Sequence, residues 1–210
     1  MENIFLFEDF SSENLSDDFQ WFNEPQNWEL HSHHSELLIK PEAKTDYWQE
    51  THYGFRVDNG PFLFTKIKGD FAITTKVRFN PLHQYDQAGL MIRLSSDCWL
   101  KTSVEFEPEG YSRLGAVVTN HGFSDWSTQN FLSEKNELYF RIRREAMDYI
   151  VEYSLHSDLT RKENWTQIRM ARLLEDNGKD EVMCGIYCCS PIGQGYEVYF
   201  DFIMITEGRI

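Results

Sequence analysis

Along this chain apolar residues recur at every second position, in short runs separated by clusters of turn-forming residues. Phe71, Ile73, Thr75, Val77 and Phe79 fall on one side of an extended segment, with Ala72, Thr74, Lys76 and Arg78 on the other. That is the period of a half-buried strand, because successive side chains point to opposite faces of a sheet. Ala88, Leu90, Ile92 and Leu94 repeat the pattern, and Leu100, Thr102, Val104 and Phe106 continue it. No segment carries the i, i+3, i+4 spacing of a long amphipathic helix. The alternation predicts strands over 4–7, 27–31, 36–40, 62–68, 71–79, 87–94, 99–106, 112–119, 137–144, 149–155, 166–172, 182–189 and 196–205. Turn chemistry stands where these runs stop, as in Lys68-Gly69-Asp70, Pro108-Glu109-Gly110 and Asp176-Asn177-Gly178-Lys179. Many short strands on short loops imply an antiparallel chain closed into two stacked sheets. Segments 41–61 and 120–136 are expected to be long irregular loops, of the kind that carries function.

Strands 87–94 and 99–106 differ from an ordinary half-buried strand on their second face. Gln87, Gly89, Met91 and Arg93 lie opposite the apolar residues of the first, and Trp99, Lys101, Ser103 and Glu105 opposite those of the second. Paired residues of an antiparallel hairpin share a face, so their numbers share parity. A three-residue loop satisfies this in two registers. One pairs Arg93 with Trp99, Met91 with Lys101 and Gln87 with Glu105; the other pairs Arg93 with Lys101 and Gly89 with Glu105. Either gathers an aromatic, two cations, an amide and a carboxylate on one patch of sheet. Sugars bind such patches: an indole face stacks on the apolar side of a pyranose, and polar groups take its hydroxyls. Gly89 would let a ligand approach the backbone closely. A solvated sheet face would also carry polar residues, so the patch is suggestive rather than diagnostic. Asp46 with Trp48, and Asp125 with Trp126, sit in the two long loops and would form the rim of a groove.

Composition narrows the function classes. The 210 residues include six Trp, sixteen Phe and ten Tyr, an aromatic share that favours strands. The formal charge of −14 makes nucleic acid and anionic membrane poor partners. The N-terminus lacks the basic start and apolar run of a signal peptide, and no apolar stretch is long enough for a membrane helix; a cytoplasmic location is expected. Cys98, Cys184, Cys188 and Cys189 are read as free, buried thiols, because Cys184 and Cys188 share a strand and Cys-x3-Cys-Cys is weak zinc spacing. No metal or cofactor is expected. His31, His33 and His34 read as a loop, Ser103, Ser124 and Ser127 lack a nucleophile-elbow context, and Gly193-Gln194-Gly195 is too short for a phosphate loop.

Several segments together resemble the DUF1349 family. They are Tyr85-Asp86-Gln87-Ala88-Gly89-Leu90-Met91-Ile92-Arg93, Trp99-Leu100-Lys101 with Val104-Glu105, Val117-Val118-Thr119 and Ser124-Asp125-Trp126-Ser127. Asn27-Trp28, Thr45-Asp46-Tyr47-Trp48 and Gly185-Ile186-Tyr187 with Ser190-Pro191 join the pattern, which runs from about residue 20 to about residue 205. The resemblance implies an all-β, concanavalin A-like jelly-roll sandwich, here one domain over 1–210, with a groove on the concave sheet. It implies little about activity, since fold does not dictate function.

The sequence therefore predicts a saccharide or sugar-metabolite binder, with Trp99 stacking and Gln87, Arg93, Lys101 and Glu105 making polar contacts. Two alternatives are carried with it. One is a glycoside hydrolase or lyase using Glu105 as acid or base, tuned by Lys101. The family 16 glucanases share this type of fold, and Glu105-Phe106-Glu107-Pro108-Glu109 superficially matches their spaced carboxylates, but Pro108 and Gly110 predict a turn that swings Glu109 off the face. The other alternative is a protein-interaction module that regulates a metabolic enzyme.

Overall fold

The computed structural model describes residues 3–132 and 136–208. In chain order its strands are β1 (Ile4–Glu8), β2 (Gln20–Phe22), β3 (Asn27–His31), β4 (Glu36–Lys40), β5 (Tyr47–Gln49), β6 (Arg56–Asp58), β7 (Phe62–Ile67), β8 (Phe71–Asn80) and β9 (Gln87–Ser95). They continue as β10 (Cys98–Glu105), β11 (Tyr111–Asn120), β12 (Phe123–Leu132), β13 (Glu137–Glu145), β14 (Asp148–Ser154), β15 (Thr166–Arg172), β16 (Val182–Cys189) and β17 (Glu197–Glu207). Among the described residues there is no α-helix; one 3-10 turn covers Lys162–Asn164.

An eight-stranded sheet runs β15-β14-β13-β8-β17-β4-β3, with β1 also on β17, and a seven-stranded sheet runs β12-β11-β10-β9-β16-β7-β2. Every named pairing is antiparallel. This is the expected concanavalin A-like sandwich. The core lies between the sheets and takes the predicted apolar faces: Ile73 and Val77 of β8 meet Leu90 and Ile92 of β9 and Leu100 and Val104 of β10. Alternation puts these side chains on the inner faces, where removal from water stabilises each by about 1.5–3 kcal/mol.

All thirteen predicted strands form, with ends displaced by no more than two residues. The hairpin of β9 and β10 takes the first of the two registers, pairing Arg93 with Trp99, Met91 with Lys101 and Gln87 with Glu105. Segment 120–136 departs from expectation. It holds β12, paired along its whole length with β11 at the edge of the seven-stranded sheet. An edge strand is held by backbone hydrogen bonds on one side and needs no continuous apolar face, so hydrophobic period could not reveal it. The three-residue β2, β5 and β6 are too short to show a period at all.

All four cysteines are free and buried. No helix among the described residues is long and apolar enough to cross a membrane.

Candidate functional site

The outer face of the seven-stranded sheet carries a second apolar cluster. Met91, Trp99, Val117, Tyr187 and Cys189 rise from the sheet, and Tyr47 and Trp48 cover them from above. The cover is segment 41–61, folded back as the small β5–β6 hairpin. The Tyr47 ring anchors it, meeting Trp99 and Tyr187 edge-on at 6.1 Å each, while its hydroxyl donates to the Gly60 carbonyl at 2.5 Å and ties the segment's two ends together. The Gln49 amide adds a 2.9 Å bond to Ser124 Oγ on β12.

This roof corrects two expectations. Trp99 was expected to offer a stacking face, but it lies wholly buried beneath Tyr47, its indole N–H donating to the Ser96 carbonyl at 3.1 Å. Arg93 was expected to touch a ligand. Instead Asp58 of β6 takes its guanidinium in a two-pronged pair at 2.7 and 2.6 Å, and Phe22 lies beneath it at 4.5 Å. Parity correctly placed both on the outer face; it could not show that a loop would land on that half of it. Gly89 is corrected too: a Cβ there would collide with the Thr102 carbonyl, so the close neighbour is strand backbone, not ligand.

The other half of the face stays open as a pocket of about 530 Å³. Lys101 and Glu105 of β10, Gln87 of β9 and Asp46 form its polar floor. The buried Lys101 ammonium donates to Gln87 Oε1 at 2.8 Å and to Asp46 Oδ1 at 3.3 Å. Tyr187 donates to the same Gln87 oxygen at 3.1 Å, and Gln87 Nε2 donates to the Tyr85 carbonyl at 3.3 Å. An ammonium has three donors, so one remains beyond these two. Among the described residues the Glu105 carboxyl accepts no hydrogen bond, and Asp46 Oδ2 accepts none. The floor therefore presents a free ammonium N–H, the second N–H of the Gln87 amide and two carboxyl groups with free acceptor sites, and Lys44 adds a second ammonium to the lining.

The charges on this floor are coupled. Burial raises the Glu105 carboxyl; Lys101 pulls it down, Asp46 and Glu107 push it up again, and the result is about 7. Burial alone would lower the Lys101 ammonium, but the Asp46 and Glu105 carboxylates outweigh it and hold the group above its ordinary range. Glu105 thus titrates near neutrality and can donate or accept, as an acid–base residue or a sugar-binding carboxyl must.

Aromatic walls stand around the floor. Trp48 and Trp126 line the pocket as the sequence predicted, joined by Tyr53, Phe55, Val57, Tyr85, Pro191 and Ile192, which it did not single out. A signal was present: Tyr53, Phe55 and Val57 alternate and so share one side of an extended segment. Asp125 departs from expectation. It follows Ser124 and precedes Trp126, so it points to the opposite face, where it accepts from Arg169 of β15 at 2.9 Å. The glucanase-like carboxylates are also dispersed. β10 ends at Glu105, and Glu107 accepts from Gln84 at 2.8 Å outside the pocket. No group of three or more His, Cys, Asp or Glu among the described residues is placed to hold a metal.

Residues 21–208 match the family described as "Protein of unknown function (DUF1349)". The chain belongs to the DUF1349 family. Regulation of enolase protein 1 of Saccharomyces cerevisiae is 31% identical over 186 residues, 89% of this chain and 88% of that protein. A crystal structure of a functionally unknown protein from Saccharomyces cerevisiae superposes with a TM-score of 0.80 at 30% identity, covering 92% of this chain and 98% of that one. A xylan β-1,4-xylosidase from Bacillus halodurans C-125 gives 0.73 at 14% identity, over 96% of this chain but only 39% of the xylosidase. The last likeness concerns the fold alone.

Proposed function

We propose that this DUF1349 protein binds a saccharide or a sugar-derived metabolite in the pocket over Lys101 and Glu105. The observation that carries the reading is the combination of exposed aromatic walls, Tyr53, Phe55 and Tyr85, with a polar floor, buried at Lys101 and Gln87 and half-buried at Glu105 and Asp46, that offers ammonium and amide donors beside two carboxyls. Ring faces suit the apolar side of a pyranose, and the floor suits vicinal hydroxyls, each of which donates and accepts. Tyr53, Phe55 and Trp126 form the stacking surface in this reading, backed by the buried Trp48, and Lys101, Glu105 and Asp46 bind hydroxyls, with Gln87 holding Lys101. One domain over 1–210 and a cytoplasmic location belong to the same reading. The family match across 21–208 supports the first, and four free buried thiols support the second.

Calorimetric titration against neutral sugars tests it. Binding that is lost in Lys101→Met, with the variant still folded, supports the site; retention of full affinity refutes it. A second reading is favoured by Glu105, whose carboxyl titrates at about 7 beside Lys101 and Asp46. A general acid–base residue needs that poise, so the protein is also a candidate glycoside hydrolase or lyase. Glu105→Gln separates the two: a binder keeps most of its affinity, whereas an enzyme loses turnover about 10²-fold or more.

A further inference from the structure

A second cavity, of about 740 Å³, opens where the β12 edge of one sheet approaches β15 of the other. It shares Trp48, Tyr53 and Trp126 with the pocket, so the two are separated by one aromatic wall. Tyr53 crowns that wall: its ring meets Trp48 edge-on at 5.3 Å and stacks on Phe55 at 5.9 Å, yet 54% of the residue is exposed. On the far side Phe123 of β12 is 56% exposed and faces the second cavity. The polar walls there are ion-paired, Arg169 to Asp125 at 2.9 Å and Arg172 to Asp148 at 2.7 Å, so their charge is locally balanced. Exposed rings thus line the pocket, the shared wall and the second concavity.

Isolated exposed aromatics are common, but exposed rings on both sides of a wall shared by two cavities fit an extended ligand. Each cavity has the size of a small-molecule site, and together they far exceed one pyranose ring. We propose that the ligand is an uncharged glycan of two or more units, with one unit over Lys101 and Glu105 and the chain crossing Tyr53 to lie against Phe123. This rests on the saccharide reading of the pocket and adds chain length and direction to it. A neutral chain fits the balanced ion pairs, and the net charge of −14 disfavours polyanionic glycans.

The test is calorimetry with xylose, glucose, and xylo- and cello-oligosaccharides of increasing length, on wild type, Phe123→Ala and Lys101→Met. Affinity should rise about tenfold or more from the single sugar to the longer chains, because added units gain aromatic contacts. Phe123→Ala should erase that gain and leave the single-sugar affinity unchanged; Phe123 is largely exposed, so the fold should tolerate the change. Lys101→Met should weaken every ligand alike. Equal affinity for single sugars and chains overturns the extended site while leaving the pocket reading intact, as does a gain in affinity that survives Phe123→Ala. No binding by any sugar of the panel overturns both.

Discussion

Replacing Glu105 by Gln should stabilise the protein at neutral and alkaline pH and leave it unchanged in acid. The carboxyl titrates at about 7 in the folded chain against an ordinary value of 4.5. A raised folded value means the native state holds its proton more tightly than the unfolded chain does. Stability should therefore fall as pH rises from about 4.5 to about 7, then level off. At about 1.4 kcal/mol per pH unit, that interval amounts to about 3 kcal/mol. Water reaching the open side of the pocket screens part of this, so about 1–3 kcal/mol is expected. The groups facing Glu105 are Lys101 on its own strand, Asp46 from the roof, Glu107 beyond the strand end and Arg113 opposite on β11. Lys101 already offsets part of the burial cost, and in Glu105→Gln it retains its bond to Asp46. Urea unfolding followed by tryptophan fluorescence, from about pH 4.5 to about pH 8.5, reads the difference directly. Wild type and Glu105→Gln should coincide at the acid end and diverge in favour of the variant above it. Parallel curves, or a variant weaker throughout, would refute the buried-carboxyl argument.

Other substitutions separate stability from binding. Lys101→Met deprives Gln87 and Asp46 of a buried donor and lets Glu105 keep its proton at neutral pH, and should cost about 1–3 kcal/mol, read by the same unfolding curves. Trp99→Ala should cost about 3–5 kcal/mol as a core truncation, because the indole supports Tyr47 from below. Any loss of sugar affinity in Trp99→Ala should disappear when the protein is held fully folded by stabilising osmolyte; persistent loss would restore Trp99 as a contact residue. Thiol titration should count four groups in denatured, non-reduced protein and almost none in the native state; burial raises the thiols of Cys184, Cys188 and Cys189 far above their ordinary value.

Strand positions, the sandwich and the β9–β10 face were legible from residue order because period two acts locally. Any residue's face follows from its number once the strand is known. Thus parity alone puts Gln87, Lys101 and Glu105 on one face, and the hairpin register is one of the two it allows. Asp125 is grouped with Trp126 by adjacency alone, whereas the parity that sets Ser124 beside Trp126 puts Asp125 on the other face. β12 escaped because its partner is β11 backbone, and backbone hydrogen bonds leave no trace in side-chain type.

What only the tertiary structure decided is which part of the patterned face meets solvent. Trp99 and Arg93 satisfy the same parity as Lys101 and Glu105, yet the first pair lies beneath Tyr47 and Asp58 and the second pair floors a pocket. That division depends on where a roughly twenty-residue loop lands, a contact between residues some 35 to 55 positions apart in the chain. Its landing is set by the Asp58–Arg93 pair, the Asp46–Lys101 pair and the Gln49–Ser124 bond acting together. Each is a polar group that had to find a partner once buried, and sequence spacing names the group without naming the partner.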